Sequence, residues 1–283
     1  MHLRLRTVLF GIVVLSAFGA TPLRAVTDTN PDGSINVGSA TLFTALSRGD
    51  MNSYDNNITG PSLVVGNVGV GGHGNFSMSD GQIQGDFYMN DYGTFSMSGP
   101  ATITGHKRGL HLDGISQQTT LDHANSDMMN LSDMAATESS SPNSAYTVNG
   151  SHTGLTNVNT GQSMTVADSS PFGSKIVLNL QNFVMTSGTF TLQGTAMTTY
   201  IINVKNNFSL NNSKVVLSGG LLASHVLFNI TGTGSQVSLN QGTSLQGVLV
   251  AYQRKLDLSG GKIFGRAMAN QVVITSGGQV VSQ

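Results

Sequence analysis

The chain contains no cysteine and no tryptophan, and only 10% of its 283 residues are charged. Without cysteine there can be no disulfide framework, so a core spread along the chain must hold the fold together. Only one long apolar run occurs, close to the N-terminus, and no second candidate for a membrane span follows it. Glycine is abundant instead, with 35 residues set among Ser, Thr and Asn. This composition favours many tight turns and a neutral surface of hydroxyl and amide groups.

The first residues, "MHLRLR", are followed by the apolar stretch "TVLFGIVVLSAFGA" and then by "TPLRA". This order predicts a secretory signal peptide over residues 1–25, with cleavage after Ala25 or, as a second choice, after Ala20. An uncleaved N-terminal anchor is the alternative interpretation. We therefore expect a single domain over residues 26–283, with no membrane span after cleavage, in a protein that is secreted, periplasmic or held at the cell surface.

Removal of residues 1–25 takes away three arginines and changes the formal net charge from −1 to −4, with ten basic against fourteen acidic residues. A weakly acidic chain does not neutralise a phosphate backbone. Nucleic acid is therefore excluded as the expected partner.

Similar sequence segments recur along the chain at nearly constant spacing. "GNFSMSDGQIQG" (74–85) is followed by "GTFSMSGPATITG" (93–105), and the shared residues lie nineteen or twenty positions apart. "VSLNQGTSLQGVLVA" (237–251) and "LDLSGGKIFGRAMA" (256–269) repeat at eighteen to nineteen, whereas the coils between residues 183 and 237 are longer. Each unit alternates apolar and polar residues between turn residues, which predicts an all-β solenoid with three short strands per coil.

One segment has a helical period instead. In "LDHANSDMMNLSDMAA" (121–136) the apolar residues recur at steps of three and four, and "ESSSPNS" ends the pattern. The strands around Tyr200–Val204, Val226–Ile230 and Val248–Ala251 are apolar on both faces and so need a cover. We predict that the helix lies along this flank of the solenoid, between the N-terminal and C-terminal coils in sequence. Its Met and Leu stripe is then core rather than a cofactor or partner site.

A second group of strands, "FSMS" (76–79), "FSMS" (95–98), "FSLN" (208–211), "VSLN" (237–240) and "LDLS" (256–259), has large apolar residues pointing inward. If these strands stack, their outward residues form a lattice of small polar groups with spacings of about 6.7 Å along a strand and about 4.8 Å between coils. The candidate binding residues are Ser77, Ser79, Ser96, Ser98, Ser209, Asn211, Ser238, Asn240, Asp257 and Ser259.

The sequence offers little for catalysis. Glycoside cleavage needs paired carboxylates, yet Asp168 and Asp257 are the only acids after residue 138. Arg254, Lys255 and Asp257 in "YQRKLD" are read as a solvated turn. "GGHGN" (71–75) resembles one calcium-binding nonapeptide but has Asn75 in place of the acid and does not recur.

Histidines and acids also cluster around the start of the predicted helix: His106, His111, Asp113, Asp122 and His123. Their spacing matches no zinc pattern, so we read the histidines as surface residues. We expect no metal, no cofactor and no enzymatic activity.

Two C-terminal segments resemble a known family. "HVLFNITGTGSQVSLNQGTSLQGVLVA" (225–251) and "GRAMANQVVIT" (265–275) are similar to the last coils of the bacterial and microbial ice-binding-like family, and "NNITGPSLVVGNVGVG" (56–71) is similar to its N-terminal coil. The resemblance spans residues 40–282. It implies a discontinuous right-handed β-helix flanked by one long α-helix, but it carries over no binding residue. "FSMSDGQIQG" and "FSLNNSKVVLSGG" also resemble choice-of-anchor A and collagen-binding-like adhesin domains.

Three hypotheses for function follow. The resemblance implies a secreted, non-catalytic, monomeric protein that binds ice through a flat face of small polar groups. The alternative is an extracellular adhesin or matrix protein that uses the same face on a polymer or a cell surface. A structural solenoid without a discrete ligand is the third.

Overall fold

The glycine-rich repeats form short strands that turn sharply between three directions. The computed structural model describes residues 28–49, 55–149, 157–160 and 163–283, so the predicted signal peptide lies outside the described residues. In chain order the strands are β1 (Ala45–Ser47), β2 (Asp55–Thr59), β3 (Leu63–Val65), β4 (Val68–Val70), β5 (Asn75–Ser79), β6 (Gln82–Gln84), β7 (Phe87–Met89), β8 (Phe95–Ser98), β9 (Thr102–Ile103), β10 (Lys107–Arg108), β11 (Tyr146–Asn149), β12 (Asn157–Thr160), β13 (Met164–Asp168), β14 (Lys175–Met185), β15 (Gly188–Gln193), β16 (Thr199–Leu210), β17 (Ser213–Ser218), β18 (Val226–Ile230), β19 (Val237–Leu239), β20 (Ser244–Ser259), β21 (Lys262–Thr275) and β22 (Gln279–Val281). The other elements are the helix α1 (Gln118–Thr137) and two 3-10 turns, Gly38–Leu42 and Ala223–His225.

The strands stack into three faces around one core, and all the strand pairings except that of β11 with β13 are parallel. The helix flank contains, in spatial order, β10, β7, β4, β1, β21, β20, β18, β16 and β14. The polar face contains β8, β5, β2, β21, β20, β19, β16, β14 and β12. The third face contains β9, β6, β3, β22, β21, β20, β17, β15 and β13. The long strands run through a corner and therefore contribute to two faces.

The sequence period corresponds to one coil of this β-helix. Phe76 pairs with Phe95, Leu239 with Leu258, and Gly247 with Gly265. Inward residues of successive coils lie on one another, as in the stacked rings of Phe76 and Phe95, whose centroids are 5.9 Å apart. The repeat therefore exists because each coil packs the same kind of side chain onto its neighbour.

The coils do not stack in chain order. The first coil pairs with the last on all three faces, through β1 and β21, β2 and β21, and β3 and β22. The chain thus begins in the middle of the stack, builds outward to one end at β8–β10, and restarts at the opposite end with β11–β13. The β-helix is discontinuous, and α1 carries the chain from one end to the other.

The helix covers the flank as predicted, and it is longer than predicted by three residues at its start and one at its end. Its buried stripe is Leu121, Ala124, Met128, Leu131 and Ala135. These residues pack on outward apolar side chains of the flank, which include Leu46, Tyr88, Val177, Ile201, Leu227, Val248, Val250 and Met268. Twenty helical residues span about 30 Å, close to the height of about six steps between coils. No helix in the described residues is long and apolar enough to cross a membrane.

An asparagine ladder fixes the C-terminal half of α1 to the flank. The side-chain nitrogens of Asn203 and Asn229 donate to the backbone oxygens of Ala135 and Ser132, at 2.7 and 2.9 Å. Asn229 also donates to Asn203, which donates in turn to Asn179 on the next coil. Because buried amides without partners are costly, this ladder specifies where the helix sits along the stack.

The corner between the polar and third faces places one or two residues of each described turn in the left-handed region. The residues with positive φ at this corner are Gly60, Asp80, Gly99, Gly188, Asn212, Gly242, Gly260, Ser276 and Gly277. Glycine and Asn tolerate this conformation best, which explains why these residue types recur at the turns of the repeats.

The "YQRKLD" segment is not the solvated turn predicted from sequence. Arg254 is 3% exposed, and its guanidinium donates to the backbone oxygens of Lys205, Asn206, Thr231, Gly232 and Ser235. The chain needs a buried cation here because the loop at 231–235 leaves several carbonyl groups converging without N–H partners. Lys255 and Asp257 form a partly exposed ion pair at 3.3 Å.

Candidate functional site

The ten residues proposed from the sequence lie on the polar face, in two parallel rows. The middle row runs across the coils as Ser96, Ser77, Asn57, Val273, Asp257, Ser238, Ser209 and Val184. The outer row, beside the left-handed corner, continues the same register through Ser98, Ser79, Thr59, Thr275, Ser259, Asn240 and Asn211. Neither α1 nor the described segment 28–43 covers these rows.

The opposite edge of the polar face has a third row whose amides bond to one another. Asn207 donates to Asn182 at 3.1 Å, Asn182 donates to Asn157 at 2.8 Å, and Ser235 donates to Asn207 at 2.9 Å. At the far end Asn75 donates to Asp55 at 3.1 Å. These groups stiffen the face, but their hydrogen bonds are already used within the protein.

The hydroxyl groups of the middle and outer rows are mostly free. Ser77 bonds Asn57 on the next coil, and Ser79 makes a 3.5 Å contact with Asp80. Within the described part of the chain, the hydroxyls of Ser96, Ser98, Ser209, Ser238 and Ser259 form no hydrogen bond to the protein. A regular array of free donors and acceptors on a rigid sheet is suited to many simultaneous weak contacts with another ordered surface.

Five residues of these two rows were missed by sequence reasoning: Asn57, Thr59, Val184, Val273 and Thr275. Val184 lies in β14, and the other four lie in β2 of the first coil and β21 of the final coil, which meet at the middle of the stack. No local pattern indicates that "NNIT" (56–59) and "VVIT" (272–275) are neighbours, because they are more than two hundred positions apart. They change the chemistry of the face, since its centre carries methyl groups beside hydroxyls and is not composed of Ser and Asn alone.

Charge on the polar face is nearly balanced. Asp257 is paired with Lys255 on the same strand, and Asp55 accepts a bond from Asn75.

Asp168 lies on the third face, on a different side of the solenoid from Asp257. Its carboxylate accepts bonds from the backbone N–H groups of Ser170 and Ser174 and from the hydroxyls of Ser174 and Thr198, at 2.7–2.9 Å. The two acids are therefore not placed to act as a pair.

The histidines and acids near the start of α1 do not converge. His106 lies 3.4 Å from Asp86, and His111 contacts the backbone oxygen of Asp91 at 2.9 Å. Asp122 accepts from Gln118, whereas Asp113 accepts the N–H groups of Gly109 and Ile115. Among the described residues, no group of three His, Asp or Glu side chains has a geometry that could hold a metal ion.

A family model described as "Putative Ice-binding-like adhesive domain" matches residues 27–281. The chain belongs to this family. The match covers the segment 28–43, the N-terminal coils, α1 and the C-terminal coils. The ice-binding-like adhesive domain therefore corresponds to the whole described β-helix. The resemblance noted in "GRAMANQVVIT" and in the last coils is thereby confirmed.

Solved structures share the fold at low sequence identity. A glycosylated ice-binding protein from an Arctic yeast aligns with a TM-score of 0.54 and 14% identity, over 87% of this chain and 91% of that chain. The ice-binding protein of the Antarctic ascomycete Antarctomyces psychrotrophicus aligns with a TM-score of 0.52 and 17% identity, over 88% and 98%. An ice-binding protein from an Antarctic bacterium of the Flavobacteriaceae gives 0.54 and 18%, over 90% and 47%. Comparison with curated protein sequences gives no match.

Proposed function

We propose that this protein is a secreted, non-catalytic binding protein whose polar face attaches to a regular surface, with ice as the first candidate. The observation that carries the proposal is the array of free hydroxyls in two straight rows, on the uncovered face of an ice-binding-like adhesive domain. The ice-binding proteins that share the fold support the choice of ice.

The chemistry of the face supports the choice further. Thr59 and Thr275 place methyl groups at its centre, and the neighbouring serines supply hydroxyls. Methyl groups disfavour disordered water next to the face, while hydroxyls hold water at fixed spacing. Each contact is weak, and affinity comes from repeating it along the coils.

Absence of catalysis is part of the proposal. Asp168 and Asp257 are on different faces, and Asp168 is engaged by four hydrogen-bond donors. In the described part of the chain these two carboxylates therefore do not form the pair that glycoside cleavage needs.

The second candidate is adhesion to an extracellular polymer or cell surface, which is favoured by the adhesive character in the family's description. The same rows would then contact hydroxyl groups of a glycan. Thermal hysteresis and ice-recrystallisation assays on residues 26–283, beside binding to cells and insoluble polysaccharides, separate the two candidates.

Ser238→Tyr tests whether the polar face is the binding face. Ser238 lies in the middle row between Ser209 and Asp257, and a tyrosine ring there would hold the neighbouring rows away from a flat surface. We expect ice-growth inhibition, or adhesion, to fall by about half or more with little change in thermal stability, because the loss is one of surface fit rather than core packing.

Two control variants accompany it. Thr233→Tyr lies in an exposed loop, and Thr191→Tyr occupies an outward position of the third face. Both should keep full activity. If all three variants are fully active, or if the wild-type protein neither shapes ice nor adheres, the polar face is only the solvated side of a structural solenoid.

A further inference from the structure

A cavity lies away from the polar face, at the corner that joins the third face to the helix flank. The N-terminal segment 28–43 crosses this corner and encloses the cavity, whose volume is about 210 Å³. Its floor is apolar and buried, and consists of Ile35, Val37, Ala223 and Val248. Ser224 and Ser282 lie at its rim.

Arg266 provides the one cationic group among the residues that line the cavity. Its Nη1 donates to the backbone oxygens of Thr41 and Phe43, at 2.7 and 2.6 Å, and so ties the N-terminal segment to the last coil. Across the described ranges no acceptor lies within hydrogen-bond distance of its Nε or Nη2, and no carboxylate lies within 4.0 Å. Burial lowers the pKa of this guanidinium.

Arg254 provides an internal comparison. It is also desolvated, yet its Nε, Nη1 and Nη2 all donate to backbone oxygens. A partly desolvated cation normally finds such partners, because the charge is costly to bury without them. In Arg266 the Nε–Nη2 edge, which forms the planar two-donor fork of a guanidinium, is left unused.

We propose that this cavity binds a small carboxylate that carries a short aliphatic tail. A carboxylate matches the Nε–Nη2 fork with two parallel hydrogen bonds. The hydroxyl of Ser224 lies at the rim to supply a further polar contact, whereas that of Ser282 already donates to the backbone oxygen of Val65. The floor of Ile35, Val37, Ala223 and Val248 contacts the tail. The cavity is large enough for an acid of three or four carbon atoms.

Titration with butyrate, followed by NMR chemical shifts in a buffer of low chloride, tests the proposal on the wild-type protein of residues 26–283. Butyramide is the matched neutral ligand, with the same tail and no charge. We expect butyrate to bind at least about ten-fold more tightly than butyramide, because only the carboxylate pairs with the fork. Equal binding of the two ligands, or no shift with butyrate, overturns the proposal.

Variants locate the site. Arg266→Met should weaken butyrate binding at least about ten-fold. Lys262→Met removes the same charge from an exposed position of the same strand and should leave binding within two-fold of wild type. If Lys262→Met has the same effect as Arg266→Met, the attraction is non-specific. The comparison of butyrate with butyramide stands even if Arg266→Met fails to fold.

Two further ligands define the class and its source. Inorganic phosphate that competes as well as butyrate would overturn the carboxylate assignment. N-acetylalanine imitates the C-terminus of a peptide, and tighter binding than butyrate would identify that source of the carboxylate, whereas weaker binding favours a free acid. The cavity is separate from the polar face, so Arg266→Met should not change ice-growth inhibition or adhesion.

Discussion

Single polar residues in this molecule divide into those that hold the fold and those that face outward without partners. Asp168 belongs to the first group, because four donors from Ser170, Ser174 and Thr198 surround its carboxylate. Burial by itself would raise the pKa of Asp168, but these hydrogen bonds outweigh it and hold the pKa below its ordinary value. An acid in this state is a structural anchor of the corner between the third face and the helix flank.

Asp168→Asn should therefore destabilise the protein by about 1–3 kcal/mol at pH 7. Because the folded-state pKa is lowered, the stabilisation is present above the unfolded-state pKa and is lost as the pH falls through the folded-state value. The difference between wild type and variant in urea unfolding should thus shrink from pH 7 to about pH 3. Asp257→Asn, at the partly exposed ion pair, should change stability by less than about 1 kcal/mol. A pH-independent difference for Asp168→Asn would contradict this account.

The element that decides the architecture is α1, which closes a flank that would otherwise expose apolar side chains. Met128 and Leu131 are 0% and 1% exposed, and both belong to the cluster formed with Ile201, Leu227 and Val250. The asparagine ladder supplies polar specificity at the same contact. Apolar packing gives the helix its affinity for the flank, and the ladder gives its position.

Met128→Asp and Leu131→Asp should each cost about 3 kcal/mol or more, because a charge would be buried without a partner. Asn130→Asp introduces the same side chain on the exposed side of the helix and should cost less than about 0.5 kcal/mol. Thermal or urea unfolding measures all three. Unchanged stability in both core variants would remove the helix from this flank.

At the scale of the whole molecule, the pairing of the first coil with the last joins the N-terminal and C-terminal coils into one continuous stack. The coils of residues 45–108 and 175–281 share pairings on every face through β1–β3, β21 and β22. Neither set of coils has an unpaired edge where the two meet, so neither should unfold separately. We expect a single calorimetric transition for residues 26–283, with equal calorimetric and van't Hoff enthalpies. Two resolved transitions would mean that the two sets of coils are separate domains.

The distribution of acids over the whole molecule gives a second expectation. No new reducing ends and no unsaturated products should form from a panel of polysaccharides, because Asp168 and Asp257 lie on different faces and cannot act as a pair. Chromatography of the digests measures this. Activity that disappears in Asp257→Asn would show that the polar face is catalytic.

Local sequence patterns determine much of this architecture. Alternating residues between turn residues determine the strands, the near-constant period determines which side chains stack, and the three- and four-residue steps of residues 121–136 determine the helix. These features depend on neighbours close in the chain or one coil away, and the stacking of Ser77 on Ser96 and of Ser238 on Asp257 followed from them.

Tertiary structure alone decided the order of the coils. A coil offers the same backbone edges to any other coil, so the period cannot say that β2 pairs with β21 rather than with a sequence neighbour. That pairing brings Thr59 and Thr275 into the candidate face. The N-terminal segment that closes the cavity over Arg266, and the five carbonyls that surround Arg254, likewise depend on contacts between distant segments. The sequence by itself determined the structure of each coil, whereas long-range pairing of strand edges determined the order in which the coils stack.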